Sequence, residues 1–213
     1  MFIAGGTGYL GRRLIPKLLE RGHAVRALAR AGSEGKLPPG CEVTIGDALE
    51  ADSYAHAVAP ADTFIHLGGV PHPSPAKAAQ FRAVDLPAAL ASIQVAFAAD
   101  VAHFVYVSVA HPAPAMRAYI EVRAECERVL AESGLNATIL RPWYVLGPGH
   151  RWPNLLRPGY WLAERIPATR AGALRLGLVT LEQMVNALVA AVESPCQGVR
   201  FFEVPQIRER SGV

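Results

Sequence analysis

The chain of 213 residues is long enough for one α/β domain with a sizeable core and leaves no room for a second domain. Hydrophobic residues make up 51% of the chain and charged residues 18%, which indicates a globular rather than a disordered protein. The 21 basic and 18 acidic residues are too evenly balanced to suggest a nucleic-acid partner.

Cysteines, histidines and apolar runs further limit the class of protein to which the chain can belong. The three cysteines are scattered and form no C-x-x-C pair, which favours a reduced, cytoplasmic protein. The seven histidines show no metal-ligand spacing, so no metal site is predicted. No signal-peptide pattern opens the chain, and the alanine-rich run at 86–99 is too short to span a membrane.

Strands and helices alternate along the chain. In order, apolar patterns predict a strand at 2–4, a helix at 9–21, strands at 23–29 and 42–45, a short helix at 51–58 and a strand at 63–67. A helix at 76–99, a strand at 103–107, a helix at 117–133 and a strand at 137–140 follow. Residues 31–40 are expected to be loop, and residues 142–179 irregular with a short helix near 155–164. Thr180 and Gln183 form a capping box for a last helix, which precedes a strand at 199–204. This order predicts a single-domain α/β fold, a doubly wound parallel sheet with helices on both faces.

The glycine-rich turn at residues 5–11 is the main functional signal. Gly5 would permit a tight turn after the first strand, Gly8 would let the backbone approach a pyrophosphate, and Gly11 would let the helix pack closely on the strand. The N–H groups and the positive dipole end of the helix would then face the phosphates. A plain structural turn would also use these glycines.

The G-x-x-G-x-x-G spacing, with a threonine before the second glycine, resembles the Thr-Gly-x-x-Gly landmark of the extended and atypical short-chain dehydrogenase/reductases. The resemblance covers nearly the whole chain and implies one Rossmann domain over residues 1–213 that binds a nicotinamide dinucleotide. At the turn it implies cofactor contacts by Gly5, Thr7, Gly8, Tyr9, Leu10 and Gly11.

The end of the second strand favours NADP over NAD. An NAD site needs a carboxylate about 20 residues past the glycines to bind the ribose 2′-hydroxyl. This chain has Arg30 there, with Ser33 three residues on, and no acid between Arg21 and Ala31. A guanidinium at that place can bind the 2′-phosphate of NADP. The alternative is that Arg30 is a solvated surface residue.

Two further segments match cofactor-binding segments of the resembled family. Asp47 follows a glycine, as in the pair that binds the adenine edge there, and Ala48 lies beside it. Asp47 would equally serve as a helix N-cap, and the two roles are compatible. Leu67, Gly68 and Gly69 resemble the segment after strand four that runs along the ribose and pyrophosphate.

The catalytic pattern departs from the family at two places. The family uses a tyrosine, a lysine four residues later and a serine or threonine after strand five. Tyr119 has the expected spacing to position 123, but that residue is Arg123, which stays charged and cannot easily relay a proton. Ser108 is followed by Val109 where the family usually has its catalytic hydroxyl, so Ser108 would serve only if the register shifts by one. Tyr119 is equally compatible with a packing role.

The segment 142–179 is expected to be a lid on the substrate side of the cofactor. The preceding stretch 138–149 resembles the family's exit from strand six, which implies that Pro142 contacts the cofactor. Residues 141–175 hold six arginines, all three tryptophans and only one acid, Glu164. That composition suits an apolar ligand with an anionic or polar end, or contact with a partner or membrane surface. The alternative is a small satellite core with a solvated basic rim.

The sequence therefore predicts an NADP(H)-binding oxidoreductase that acts on a small apolar carbonyl or quinone-like substrate. Two other classes stay open because of the departures at Arg123 and Val109. One is a catalytically weak or inactive cofactor-binding subunit or assembly factor, like family members in respiratory complexes. The other is an NmrA-like redox sensor. Either would engage a protein partner, and a homo-oligomer is also compatible with the sequence.

Overall fold

A seven-stranded parallel sheet forms the centre of the molecule, in the order β3-β2-β1-β4-β5-β6-β9. The computed structural model describes residues 1–148 and 157–210. The strands are β1 (Phe2–Ala4), β2 (Arg26–Ala29), β3 (Glu42–Ile45), β4 (Thr63–His66), β5 (His103–Val107), β6 (Ala137–Leu140), β7 (Tyr144–Leu146), β8 (Leu178–Thr180) and β9 (Val199–Phe202). The helices are α1 (Gly11–Glu20), α2 (Ala78–Gln80), α3 (Leu86–Ala98), α4 (Arg117–Glu132), α5 (Arg157–Ala163), α6 (Pro167–Arg175), α7 (Leu181–Glu193) and α8 (Val204–Arg208). The predicted fold class is confirmed.

Each face of the sheet has its own core because successive strand residues point to opposite sides. Ile3 belongs to the core under α1 and α7, together with Leu14 and Leu188. Its neighbour Phe2 belongs to the other core, under α3 and α4, where it packs against the ring of Phe64. The sheet is therefore covered on both sides, as a doubly wound parallel sheet requires.

The strand order reverses between β1 and β4. These two strands pair in parallel, with Ile3 opposite Ile65. The next connection from β1 goes to β2 on one side, while β4 continues to β5 on the other. Ligands of such sheets bind in the crevice at the carboxyl ends of the strands on either side of this reversal. The glycine turn after β1 and the Leu67–Gly69 segment after β4 both leave the sheet there.

In the segment 142–179, the short helix predicted near 155–164 is confirmed as α5, but the prediction that the rest is irregular was wrong for most of the described part. β7 and β8 form a separate parallel pair, and α5 and α6 lie between them in the chain. Both helices are short and largely exposed, so they lack the regular apolar stripe that a sequence pattern detects. Residues 149–156, with Arg151 and Trp152, lie outside the described residues.

Smaller differences concern element boundaries. The short helix predicted at 51–58 is two single 3₁₀ turns, Ala51–Ser53 and Ala55–Ala57, and α8 after β9 was not predicted. The long helix predicted at 76–99 is interrupted by a π-helical turn at Phe81–Asp85. β2 begins at residue 26 instead of 23, and the loop at 31–40 contains a 3₁₀ turn, Glu34–Lys36.

The helical stretch Pro75–Ala98 passes a length-and-hydropathy test for crossing a membrane, the one such stretch among the described residues. Its α3 part contacts α4 and β4, and its inward residues are buried in the core. Ala89, Ile93 and Ala96 are among them. The apolar composition is thus explained by packing against the sheet.

Candidate functional site

The glycine turn after β1 is tight and lies directly against the chain after β4. Gly5 has a φ of +90°, and a Cβ there would lie 2.8 Å from the backbone nitrogen of Gly68. A Cβ on Gly11 would lie 2.5 Å from the carbonyl oxygen of Gly6 and 2.6 Å from that of Gly5. Both positions therefore require glycine, one for its backbone conformation and one for the close packing of helix on turn. Gly8 is exposed on the turn, and its N–H donates to the carbonyl oxygen of Gly5 at 3.0 Å.

The N-terminus of α1 is open to an anion. Leu10 precedes the helix and makes no side-chain capping bond, and the first turn holds no acidic residue. Thr7 and Tyr9 are partly exposed beside it, while Leu10 packs against the core. The positive end of the helix dipole thus faces the glycine turn with no acidic side chain against it, which fits a pyrophosphate.

The turn after β2 carries the residues expected at the 2′-phosphate. Arg30 is exposed, and the N–H of Ser33 donates to its carbonyl oxygen at 2.9 Å. The two side chains therefore belong to one compact turn. This places a cation and a hydroxyl at the edge of the crevice, next to the glycine turn, since β2 is the neighbour of β1.

Asp47 caps the turn that follows β3. Its Oδ1 accepts the N–H of Leu49 at 3.0 Å, and its own N–H donates to Oγ of Ser53 at 3.0 Å. Ala48 packs against the core under α3 and α4. The alternative prediction of a helix N-cap was wrong, because the next 3₁₀ turn, Ala51–Ser53, begins after Glu50 and Asp47 lies earlier in the loop. The half-buried carboxylate lies at the same edge of the sheet as the other predicted cofactor residues.

Arg123 points into the protein and joins the ends of two strands. Its Nη1 donates to the carbonyl oxygen of Val107 at 3.0 Å and to the hydroxyl of Tyr106 at 3.2 Å, both on β5. Its Nη2 donates to the carbonyl oxygen of Gly68, after β4, at 3.3 Å. The guanidinium also fills the space beside Gly69, where a Cβ would collide with it. Arg123 therefore fixes the segment along which the cofactor is expected to run.

A buried acid that the sequence did not single out completes this cluster. Asp85 accepts the N–H of Val70 at 2.6 Å, and its other oxygen lies 3.6 Å from Nη2 of Arg123. Burial raises the pKa of Asp85, although Arg123 and the N–H of Val70 oppose that shift. Burial alone would lower the pKa of Arg123, but Tyr106, Tyr119 and Asp85 outweigh it and the pKa is raised, so the guanidinium stays charged.

Tyr119 lies next to the charge of Arg123. The centre of its ring is 5.0 Å from Cζ of Arg123 and 4.9 Å from the centre of the Phe81 ring. The residue is partly exposed and lines a small cavity of about 160 Å³. Tyr119 thus has both a packing contact and access from outside, which suits either of the roles that the sequence allows.

Ser108 donates its hydroxyl to a buried carboxylate. Oγ lies 2.5 Å from Oε1 of Glu127, and Ser108 itself is buried. The next residue, Val109, is also buried. The N–H of Ala110 donates to the carbonyl oxygen of Pro142 at 2.9 Å, which ties the ends of β5 and β6 together. The structure therefore directs the Ser108 hydroxyl to Glu127 rather than to Tyr119, which lies two turns earlier in α4.

Glu127 is the second acid that sequence analysis missed. Two nitrogens of Arg141 donate to it, Nε at 3.0 Å and Nη2 at 2.5 Å, and Nη1 of Arg141 donates to Glu203 at 2.8 Å. Burial would raise the pKa of Glu127, but the bonds from Arg141 and Ser108 outweigh it and leave the pKa lowered. The signal was available, because Arg123 and Glu127 are four residues apart on the sheet-facing side of α4.

Two of the three tryptophans in the predicted lid lie among the described residues, and their surroundings differ. Trp143 packs against the core under α1 and α7 and meets the ring of Tyr144 edge-on at 5.7 Å. Trp161 in α5 is exposed, and Trp152 lies outside the described residues. Between α5 and α6 is an open, largely apolar groove of about 490 Å³. In the described part of the chain, no group of three or more acidic, histidine or cysteine side chains could hold a metal ion.

Several known proteins resemble this chain over most of its length. A family model described as NAD(P)H-binding matches residues 5–151. A 3-diazoavenalumate denitrifying reductase of a Streptomyces species is 30% identical to the chain, over 93% of the chain and 73% of the relative. A ceramide reductase of Caulobacter vibrioides is 26% identical over 92% of the chain, which spans 62% of that relative. The structure of the Bordetella bronchiseptica enzyme WbmH in complex with NAD⁺ has a TM-score of 0.70 and 20% identity, over 95% of this chain and 74% of that one, which shows a shared fold.

Proposed function

The chain belongs to the NAD(P)H-binding short-chain dehydrogenase/reductase family, and on that premise we propose that it is an NADP(H)-dependent reductase of a small apolar carbonyl or quinone-like substrate. The fit of the cofactor rests on the glycine turn, which leaves no room for a Cβ at Gly5 or Gly11, and on the uncapped start of α1. Arg30 and Ser33 support the choice of NADP. When bound, the reduced nicotinamide supplies a hydride to the substrate.

The observation that carries the proposal is the chain of contacts from the glycine turn to Tyr119. Gly5 abuts Gly68, Gly68 accepts from Arg123, and Arg123 lies beneath the Tyr119 ring. Tyr119 is the residue that donates a proton to the substrate oxygen. The fixed positive charge of Arg123 stabilises the tyrosinate that this leaves. Because Arg123 holds its own protons, Tyr119 regains a proton from solvent through its exposed side.

The substrate class follows from the segment 142–179, which we place over the substrate. The groove between α5 and α6 is largely apolar, and Arg165 and Arg170 are exposed residues of the same segment. An apolar body with a polar or anionic end would suit these surroundings. The name of the Caulobacter vibrioides relative supports a lipid-like substrate, since that protein is a ceramide reductase.

The test is NADPH oxidation with a panel of apolar carbonyls and quinones. General acid catalysis is worth about 10²–10⁴-fold, so Tyr119→Phe should lower kcat at least about a hundredfold and leave the Kd for NADPH within about twofold. Phe81→Leu is the control, because it removes the ring that packs against Tyr119 and keeps the hydroxyl. It should lower kcat far less. A rate that survives Tyr119→Phe would contradict this assignment.

One specific observation favours a second function. In that case the chain would be a cofactor-binding subunit, an assembly factor or a redox sensor without turnover. The hydroxyl of Ser108 is bound to Glu127, and Val109 follows it, so no hydroxyl from this segment is directed at Tyr119. This alternative predicts tight NADPH binding with no oxidation by any substrate of the panel. Binding measured beside turnover separates the two functions.

A further inference from the structure

Three large apolar side chains are exposed together where α5 passes into α6. Trp161, Leu162 and Ile166 are 58%, 54% and 43% exposed, and they lie within six consecutive residues. The turn that carries them is well formed. Oγ of Thr169 donates to the carbonyl oxygen of Ala163 at 2.8 Å. Single exposed apolar residues are ordinary on protein surfaces, but a cluster of three is not. We call these three residues the hydrophobic tip.

Positive charge surrounds the hydrophobic tip. The guanidinium of Arg165 lies 3.6 Å from the centre of the Trp161 ring, and Arg170 is exposed one turn into α6. Between residues 158 and 180 the chain has three arginines and a single acid, Glu164. That acid is neutralised by Nη1 of Arg208 at 2.8 Å. The exposed surface around the tip is therefore basic.

From these observations we infer that the hydrophobic tip docks onto an anionic membrane surface. Tryptophan with arginine beside it is the side-chain pair that favours the boundary between lipid headgroups and acyl chains. Three inserted side chains and a few arginines give weak, reversible attachment, and no span of the bilayer is involved. A second copy of the chain fits this surface less well, because two identical basic rims would repel each other.

Docking at the tip would also bring the neighbouring groove to the membrane. The groove between α5 and α6 is open and is lined by Tyr160, Ala163 and other residues of the same two helices. An apolar molecule dissolved in the bilayer could enter it without crossing water. The docking itself does not depend on catalysis, so it can be tested without a substrate and stands if the proposed reductase activity fails.

The experiment is co-sedimentation of the full chain with vesicles of phosphatidylglycerol and phosphatidylcholine, set beside vesicles of phosphatidylcholine alone. We expect binding to the anionic vesicles that falls steeply at about 0.5 M salt. Replacing both Leu162 and Ile166 by Asp should reduce the partition coefficient at least about tenfold. Arg165→Glu should reduce it about fivefold or more.

Matched controls lie elsewhere on the surface. Phe97 is 63% exposed on α3, so Phe97→Asp makes the same chemical change away from the tip and should leave vesicle binding unchanged. Arg128→Glu on α4 is the control for Arg165→Glu, because it reverses an arginine charge away from the tip, and it should also leave vesicle binding unchanged. NADPH binding checks that each variant is folded. No binding to anionic vesicles, equal loss in Phe97→Asp, or a dimer in gel filtration that Ile166→Asp dissolves would overturn the inference.

Discussion

A lysine at position 123 would be unable to make the contacts that Arg123 makes. The planar guanidinium donates to Tyr106, Val107 and Gly68 at once, whereas an ammonium is a single compact charge at the end of a flexible chain. Asp85 supplies the matching buried negative charge. The departure from the family pattern thus comes with its own structural support, and Arg123 serves to position the chain after β4 as well as to place a charge beside Tyr119.

Arg123→Lys should therefore weaken the protein instead of restoring a proton relay. The pattern of residues alone suggests that lysine would raise activity, but the buried contacts predict a loss of about 1–3 kcal/mol in the free energy of unfolding. Urea denaturation measures it, with Arg128→Lys as the exposed control, which should change little. NADPH affinity should fall together with stability, because the segment at Gly68 is released. Wild-type stability with a higher rate in Arg123→Lys would contradict this account.

We expect Arg30 to set the preference for NADP over NAD. If it binds the 2′-phosphate, Arg30→Ala removes that charge-assisted contact, and NADPH should bind about ten- to hundredfold more weakly, roughly 1.5–3 kcal/mol. NADH affinity should stay within about twofold, because that cofactor has no phosphate there. Lys36→Ala is the control, since it removes a neighbouring exposed cation from the same loop. If the wild type binds both cofactors equally well, Arg30 has no such role.

Individual elements differ in how far the sequence predicts them. β5 and β6 have the predicted bounds because each is a short, mostly apolar run between turn residues, and β3 has them because β-branched Val43, Thr44 and Ile45 follow a glycine turn. The capping box is confirmed, with Gln183 and Thr180 exchanging bonds of 2.9 and 3.1 Å. The strands after β6 were not predictable, because β7 and β8 are three residues each and form only by pairing with each other. Their register depends on the fold, not on local preference.

The residues of the functional site also differ in how far the sequence predicts them. The glycine turn was predictable because a tight turn of this kind needs glycine at fixed positions in the sequence. Asp85 was not, because its role depends on a π-helical turn that aims it at Val70, fifteen residues earlier. The bond from Ser108 to Glu127 joins a strand end to a helix, and only the packing of α4 brings those two together. Buried charge pairs are set by tertiary contacts, which a pattern of residue types does not encode.

Gly11 is where the first helix meets the glycine turn, and Gly11→Ala tests that junction. The added Cβ would meet backbone oxygens of Gly5 and Gly6, which cannot rotate away, so α1 must shift. We expect a loss of about 1–3 kcal/mol in unfolding free energy and much weaker NADPH binding. Gly35→Ala is the matched control, because a Cβ there would meet nothing within 4 Å. Equal effects of the two substitutions would show that the junction is not tightly packed.

On the scale of the whole molecule, the carboxyl edge of the sheet is held by two buried charge clusters. Arg123 and Asp85 join the ends of β4 and β5, while Glu127 and Arg141 join the ends of β5, β6 and β9. If one partner of such a cluster is removed, the charge that stays behind is buried and unpaired, which lowers the free energy of unfolding. These contacts fix the strand ends at the edge of the sheet where the cofactor is expected.

Acid should destabilise the fold through its buried histidines. His66, at the end of β4, is fully buried with Nδ1 2.9 Å from Oγ of Ser92, and burial lowers its pKa to about 3. The folded state therefore keeps His66 neutral, while the unfolded chain binds a proton below about pH 6.5. The contribution of His66 to the free energy of unfolding is fully present above that pH and is lost as the pH falls from 6.5 toward 3. His103, whose pKa is lowered to about 4 by burial, acts in the same direction.

His66→Asn isolates that contribution, because the Asn side chain keeps a polar atom near Ser92 and does not titrate. Between pH 7 and pH 5 the wild type should lose about 2 kcal/mol of unfolding free energy through His66 alone, and the variant should be spared that part. Urea denaturation at the two pH values measures the difference. His56 is exposed, so His56→Asn should retain the full wild-type loss. The same loss in His66→Asn as in the wild type would show that the buried imidazole takes up its proton without unfolding the sheet.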